Sequence, residues 1–188
     1  MPIQNNVQRF NDLRERYPVF VYESYHYEVS DDGDFIVSFS FFVNEEIRYN
    51  PQIRIKYHPL FADFYASGNM DKLKNFVFAI GMIELLSYWK ASCCPVIEVR
   101  VGNLGKDAAS FWKKLYFNGL GEFFYTNSIH VSMDEIVEIV PHCFSDNKKP
   151  FFGLKNETIV PIGGGKDSVV TLEELRAVQS LIDRKSVV

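Results

Sequence analysis

Phe35-Ile36-Val37-Ser38-Phe39-Ser40-Phe41-Phe42-Val43 puts Phe35, Val37, Phe39, Phe41 and Val43 on one face, with Ser38, Ser40 and Asn44 on the other. A period of two with one apolar side is the pattern of a strand lying over a core. Upstream, Val19 to Val29 is rich in β-branched and aromatic residues and is joined to this strand by Asp31-Asp32-Gly33, a turn sequence. Downstream, after Pro51, Ile53, Ile55 and Tyr57 alternate with Arg54, Lys56 and His58. The short connections predict an antiparallel sheet with one buried side.

Helical patterns surround that sheet. Val7, Phe10, Leu13 and Tyr17 recur at helical spacing before Pro18, predicting a short docking helix over 6–16. His58-Pro59 ends the sheet segment, a short helical piece is expected at 60–66, and Gly68-Asn69 breaks the chain. A helix from about 70 to 90 is apolar nearly all round in its second half, so it is expected to be buried and central. Pro95 to Val101 reads as a strand and Lys106 to Phe117 as a helix, with Gly119 as its C-cap. Residues 122–125 and 129–131 read as short strands, and 133–140 as strand or helix. Pro, Asn, Asp, Lys and Gly dominate from Pro141 onward, which predicts a linker over 141–156. The expected fold is therefore an α+β domain over 1–140, then a linker, then a second segment starting near 157.

Composition narrows the function. At 188 residues and 47% hydrophobic residues the chain can bury a sizeable core, and 17 Phe and 10 Tyr make it an aromatic one. A formal charge of -4 argues against a broad nucleic-acid or anionic-membrane surface. The most apolar run, Phe76 to Trp89, falls short of the roughly 20 residues a bilayer requires and contains Glu84. No secretory signal is legible, and three cysteines without metal-ligand spacing suit a reducing, cytoplasmic setting. His26, His58, His130 and His142 are too scattered to suggest zinc, and no serine stands in a GxSxG elbow. Asn118-Gly119-Leu120-Gly121 follows a helix where a dinucleotide fingerprint requires a strand.

The second segment carries the chemistry. Ile159-Val160-Pro161-Ile162-Gly163-Gly164-Gly165-Lys166-Asp167-Ser168 reads as a strand, a tight glycine turn and a helix start. Such a turn favours an anion, because glycine lets a ligand approach the backbone and the first helical amides lack intrahelical partners. Lys166 adds positive charge, Ser168 a hydroxyl, and Asp167 a carboxylate able to hold magnesium against phosphates. The alternative is plain capping, with Asp167 or Ser168 as N-cap and Thr171/Glu174 as a capping box. A Walker loop is excluded, since Lys166 is followed by Asp167 rather than Ser or Thr.

These residues resemble the SGGxDS loop of the PP-loop ATP pyrophosphatases. Gly164, Gly165, Asp167 and Ser168 match, and Gly163 stands where that family usually has serine. A wider resemblance joins this loop to Phe20-Val21-Tyr22-Glu23-Ser24-Tyr25-His26-Tyr27, Leu86-Ser87-Tyr88-Trp89-Lys90-Ala91 and the stretch from Phe111-Trp112-Lys113-Lys114 to Gly121-Glu122-Phe123-Phe124. Together they are similar to the bacterial UDP-N-acetylmuramoyl-L-alanyl-L-glutamate epimerases, the MurL family, whose loop is GGGKDS itself.

The resemblance implies ATP- and magnesium-dependent inversion of the terminal glutamate of a peptidoglycan precursor, with carboxylate adenylation and release of AMP and pyrophosphate. Gly163, Gly164, Gly165, Lys166, Asp167 and Ser168 carry over as nucleotide ligands. Asp167 is the candidate for magnesium, and a UDP-muramoyl dipeptide is the implied substrate. Glu84, a carboxylate within an apolar run, and Lys90 are the candidates for proton transfer; the structural alternative for Glu84 is a carboxylate paired with an arginine or a backbone donor. Residues 157–182 then form only the first strand, loop and helix of an α/β PP-loop domain, and Asp183 to Val188 read as an adapter-derived or appended tail. Little or no activity is expected of such a fragment by itself. Another PP-loop enzyme, an amide ligase or a thiolating enzyme, would share the loop, and a noncatalytic nucleotide-binding module would bind ATP without releasing AMP.

Overall fold

A computed structural model describes residues 6–44, 47–59, 66–67, 73–142, 160 and 162–178. The chain divides into two compact units, Met1–Lys149 and Pro150–Val188. In the first, α1 (Asn6–Arg16) leads into β1 (Val19–Val29) and β2 (Phe35–Val43), then β3 (Ile47–Tyr49) and β4 (Gln52–Ile55). The chain continues through α2 (Lys74–Ser92), β5 (Val96–Val99), α3 (Lys106–Gly119), α4 (Gly121–Thr126), α5 (Met133–Ile136) and β6 (Glu138–Pro141). The described part of the second unit holds α6 (Lys166–Val178).

The β1–β2 hairpin sets the register of the core. Its turn closes through Gly33 N–H to Ser30 O at 2.8 Å and Ser30 N–H to Asp34 O at 2.9 Å. Phe20, Tyr22, Tyr25, Tyr27 and Val29 stand opposite Val43, Phe41, Phe39, Val37 and Phe35. The partners on β1 change from even to odd numbers because a bulge between Tyr22 and Ser24 inserts Glu23. Without that extra residue, every side chain beyond it would point to the wrong face.

β3 and β4 both pair with β2, at Phe41–Val43 and Phe35–Ser38 respectively. Between them lies Pro51, which has no N–H to give the ladder but accepts from Phe39 N–H at 3.0 Å. The antiparallel sheet expected from the sequence is therefore half of the answer. β5 joins the other side of β1 in parallel, and β6 joins β5 in parallel, giving a mixed six-stranded sheet of order β3-β2-β1-β5-β6 with β4 beside β2. Helices between successive strands force this: α2 precedes β5, and α3 to α5 separate β5 from β6.

Helix α2 packs on β1 and β2, and α3 on β6. Tyr22 stacks on Phe78 at 5.9 Å, Tyr88 lies 4.8 Å from Tyr49, and Tyr116 Oη donates to Met82 O at 2.6 Å, so the aromatic residues knit sheet and helices into one core. The C-terminus of α2 is closed by Cys93, at φ 52°, whose N–H reaches Trp89 O.

Several local expectations are corrected. Residues 122–125 are helical, not a strand: Leu120 N–H bonds Tyr116 O and Phe124 N–H bonds Leu120 O, so the chain keeps turning and buries Phe124. Gly119 is the last residue of α3, not its cap. Residues 129–131 form no strand, and 133–140 splits between α5 and β6. Ser132 opens α5 with a capping box to Glu135. Val160 and Ile162 lie in no strand. Residues 60–65 of the piece expected at 60–66, the break at Gly68-Asn69, most of the linker, residues 179–182 and the tail fall outside the described residues.

Candidate functional site

In the second unit, Gly163, Gly164 and Gly165 are exposed and lead directly into α6. Gly164 takes φ +79°, a conformation that penalises any side chain. Gly163 and Gly165 do not, and a Cβ placed on any of the three would meet nothing within 4 Å. Two of the three glycines thus answer neither a backbone requirement nor a packing one. Lys166 and Asp167 stand exposed in the first turn of α6.

The capping alternative takes a different form from the one expected. Helix α6 begins at Lys166, so Asp167 and Ser168 lie inside it. Ser168 Oγ donates to Gly165 O at 2.8 Å, and Thr171 Oγ1 donates to Asp167 O at 2.8 Å. Both hydroxyls therefore bond carbonyls, and neither closes a capping box on the leading amides. Those amides have no intrahelical partner and carry the positive end of the helix.

Glu84 and Lys90 lie in the first unit, both on α2. Glu84 is half-buried and accepts from Tyr88 Oη at 3.4 Å, a turn further along the helix. Burial, with the Glu84 carboxylate second, pushes the Tyr88 hydroxyl above its ordinary range. Lys90 is exposed, and no hydrogen bond or ion pair joins it to Glu84. Among the described residues no group of three His, Cys, Asp or Glu could hold a metal, and Asp167 stands as a single exposed carboxylate in the first turn of α6.

Sequence reading missed the polar framework of the first unit, in which Asp34 alone is buried. Asp34, 4% exposed, accepts from Arg54 Nε at 2.6 Å, Lys56 Nζ at 3.2 Å and Tyr57 N–H at 2.8 Å. The Arg54 bond, then the Tyr57 amide, hold its carboxyl down to about 2. Arg14 reaches from α1 to three carbonyls, those of Cys93, Ile136 and Glu135, at 3.1, 2.9 and 2.9 Å. Glu98 is held by Arg100 and His142, and Glu23, the bulge residue, by Ser40 and Arg48. The signal for Glu98 and Arg100 was their spacing of two on a strand; nothing in the sequence marks Arg14.

With the geometry in hand, comparison with known proteins places the chain. The family model described as the MurL N-terminal domain matches residues 11–187. The chain belongs to the MurL family. Relatives named UDP-N-acetyl-alpha-D-muramoyl-L-alanyl-L-glutamate epimerase include one from Xanthomonas oryzae pv. oryzae, 33% identical over 95 residues, covering 50% of this chain and 21% of the relative. Another, from a Micromonospora species, is 30% identical over 121 residues, covering 63% and 26%. A third, from Salinispora tropica, is 26% identical over 170 residues, covering 88% and 35%. The chain thus spans about a third or less of the relatives it matches. No solved structure matches it. The MurL match takes in the mixed sheet, both helices packed on it and the glycine loop alike. Among the described residues no helix is long and apolar enough to cross a membrane.

Proposed function

We propose that this chain supplies the loop that grips the phosphates of ATP in a cytoplasmic epimerase acting on UDP-N-acetylmuramoyl-L-alanyl-L-glutamate, during peptidoglycan precursor synthesis. The observation that carries the reading is a family match running through a glycine loop whose backbone is open to a ligand. Glycines that neither the backbone nor the packing requires are what a loop pressed against phosphates needs.

The residues fit the group. The leading amides of α6 would donate to phosphate oxygens, and the Lys166 ammonium would add a full charge. The Asp167 carboxylate would hold magnesium, which is commonly bound by one or two carboxylates together with phosphates. Ser168, whose proton now serves Gly165 O, keeps its lone pairs to accept and can turn its hydroxyl outward. Bound ATP supplies activation of the substrate's glutamate carboxylate, with AMP and pyrophosphate as products. A carboxylate left ionised suppresses the acidity of the neighbouring α-proton, so inversion needs that charge removed before a base and an acid can act on opposite faces. For those roles the proposal extends to Glu84 and Lys90, of which Glu84 is the one with an oriented carboxylate.

The experiment supplies ATP, magnesium and the muramoyl dipeptide to the longer polypeptide that the relatives' length implies, and reads the glutamate by chiral analysis. D-Glutamate formed with AMP release is the expected result; the 188-residue chain alone is expected to give little or none. ATP consumption with the stereocentre untouched would sink the reading. AMP release only with another acceptor would point to a ligase or thiolating enzyme, and ATP binding without AMP to a nucleotide-binding module.

A further inference from the structure

The face of the sheet away from α2 carries a cluster that the proposed function does not use. β1, β5 and β6 run parallel, and their paired stretches end together at Tyr22, Val99 and Pro141. Just beyond, Arg100 N–H bonds Tyr22 O at 3.0 Å and His142 N–H bonds Val99 O at 2.9 Å, so the strands stay in register past those ends. The carboxyl ends of parallel strands are where open α/β sheets bind ligands. Glu98 stands opposite Val21 and Val140, on the other face from Tyr22, Ile97 and Val99, which are buried in the core with α2. That outer face is open to solvent: Ser24, Arg48, Arg100, Glu138 and His142 are all exposed.

Arg100, Glu98 and His142 form an ordered series on this face. Arg100 donates from Nε to Glu98 Oε1 at 3.1 Å and from Nη2 to Oε2 at 3.4 Å, and its guanidinium lies 5.2 Å from the centre of the Phe42 ring. The carboxylate is thus gripped at two points by a cation that is itself anchored elsewhere. The same bond holds the Glu98 carboxyl below its ordinary range. Glu98, with 19% of its side chain exposed, in turn meets His142 Nε2, whose side chain is 48% exposed. Among the described residues no other group bonds the imidazole, which leaves its second nitrogen open. An isolated surface ion pair does little. A fixed cation, a half-buried carboxylate and an exposed imidazole with one nitrogen open is the order in which a proton-transferring histidine is oriented.

We propose that His142 is a proton-transfer group of the epimerase reaction, with Glu98 and Arg100 as its positioning residues. The inference rests on the epimerase reading, and it moves the proton-transfer role there from Glu84 and Lys90, whose helix packs on the other face of the sheet, to His142. His142 takes the α-proton of the activated glutamate as the C–H electron pair moves onto the acyl oxygen. Water supplies a proton to the opposite side of the carbon, and the hydroxide left behind takes the first proton back from the imidazolium.

The test follows AMP release and glutamate chirality together in the longer polypeptide, with ATP, magnesium and the muramoyl dipeptide. His142→Gln is expected to lower inversion about a hundredfold or more while AMP release stays near wild type, the scale of a lost acid–base group. Glu98→Gln should show the same split to a smaller extent, and Glu98→Asp should recover part of the loss. Added imidazole should raise inversion by His142→Ala and leave wild type as it was, a rescue that a merely structural histidine does not give. Wild-type inversion in His142→Gln overturns the proposal. So does a loss of AMP release in step with inversion that imidazole does not rescue in His142→Ala. A wild-type protein that releases AMP with the stereocentre untouched removes the epimerase reading itself, and this inference with it, before any variant is made.

Discussion

The buried hydroxyl of Tyr22 lies against Gly81 of α2, and it has no hydrogen-bond partner. A Cβ at position 81 would collide with that oxygen and come within 2.9 Å of Phe39 Cδ1. Helix and sheet therefore approach as closely as they do because residue 81 has no side chain. Gly81→Ala is expected to cost about 1–3 kcal/mol through overpacking, read from urea unfolding midpoints. Tyr22→Phe removes a hydroxyl that makes no bond, so it should be neutral or stabilising within about 1 kcal/mol. Combined, the two changes should cost less than their sum, since the second removes part of the obstacle to the first. Additive costs would show that Tyr22 is not what Gly81 accommodates.

Arg14 ties α1 to the end of α2 and to α5 through three carbonyls that all lie far from it in the chain. Burial outweighs the nearby negative groups and lowers its guanidinium below the ordinary range, a sign that the charge is partly desolvated. Arg14→Ala should therefore cost about 2 kcal/mol, the scale of hydrogen bonds to a charged donor. Lysine at the same place restores charge but not the planar fork, so it should recover less than half of the loss. Full recovery by Arg14→Lys in thermal melts would show that charge alone matters.

Asp34 gives the fold an acid limit. Its carboxyl, lowered to about 2, is charged in the folded chain at a pH where an unfolded aspartate near about 3.9 is protonated. A depressed carboxyl stabilises above the unfolded value and loses that contribution as pH falls through the folded one. The stability gap between the wild-type chain and Asp34→Asn should be full at pH 6 and close between about pH 4 and pH 2. A gap that stayed constant over that window would remove Asp34 from the account.

What was legible in the sequence is what depends on local periodicity. The alternation from Phe35 to Val43, the turn at Asp31 to Gly33 and the apolar helix around Leu85 all stand where reading put them. The bulge was also written there, as the shift from Phe20 and Tyr22 to Tyr25, Tyr27 and Val29, but a single misplaced residue is easily read through. The parallel half of the sheet was hidden because β6 has four residues and follows a helix of four. Glu122 to Tyr125 misled by composition: aromatic residues suit strands, but packing of Phe124 under a continuing helix decided otherwise. In the loop, residue types motivate the nucleotide proposal, while the start of α6 one residue before Asp167 could not be read, since Lys166 is no cap former.

The three glycines can be told apart by experiment. Gly164 alone takes positive φ, so Gly164→Ala strains the backbone by about 1 kcal/mol whether or not a ligand is present. Gly163→Ala and Gly165→Ala meet no atom within 4 Å and take no left-handed angle, so circular dichroism and melting of either variant should match wild type. Their effect should appear only when phosphates press against the backbone, where an added methyl group blocks approach and displaces the donating amides. In the longer polypeptide, each should weaken binding of magnesium-ATP by about tenfold or more in calorimetric titration, a change of about 1.4 kcal/mol. Lys166→Ala should weaken it too, and its effect should shrink as salt rises, because its share is a charge. If Gly163→Ala and Gly165→Ala bind magnesium-ATP as wild type does, the loop is a connection between elements and the nucleotide belongs elsewhere.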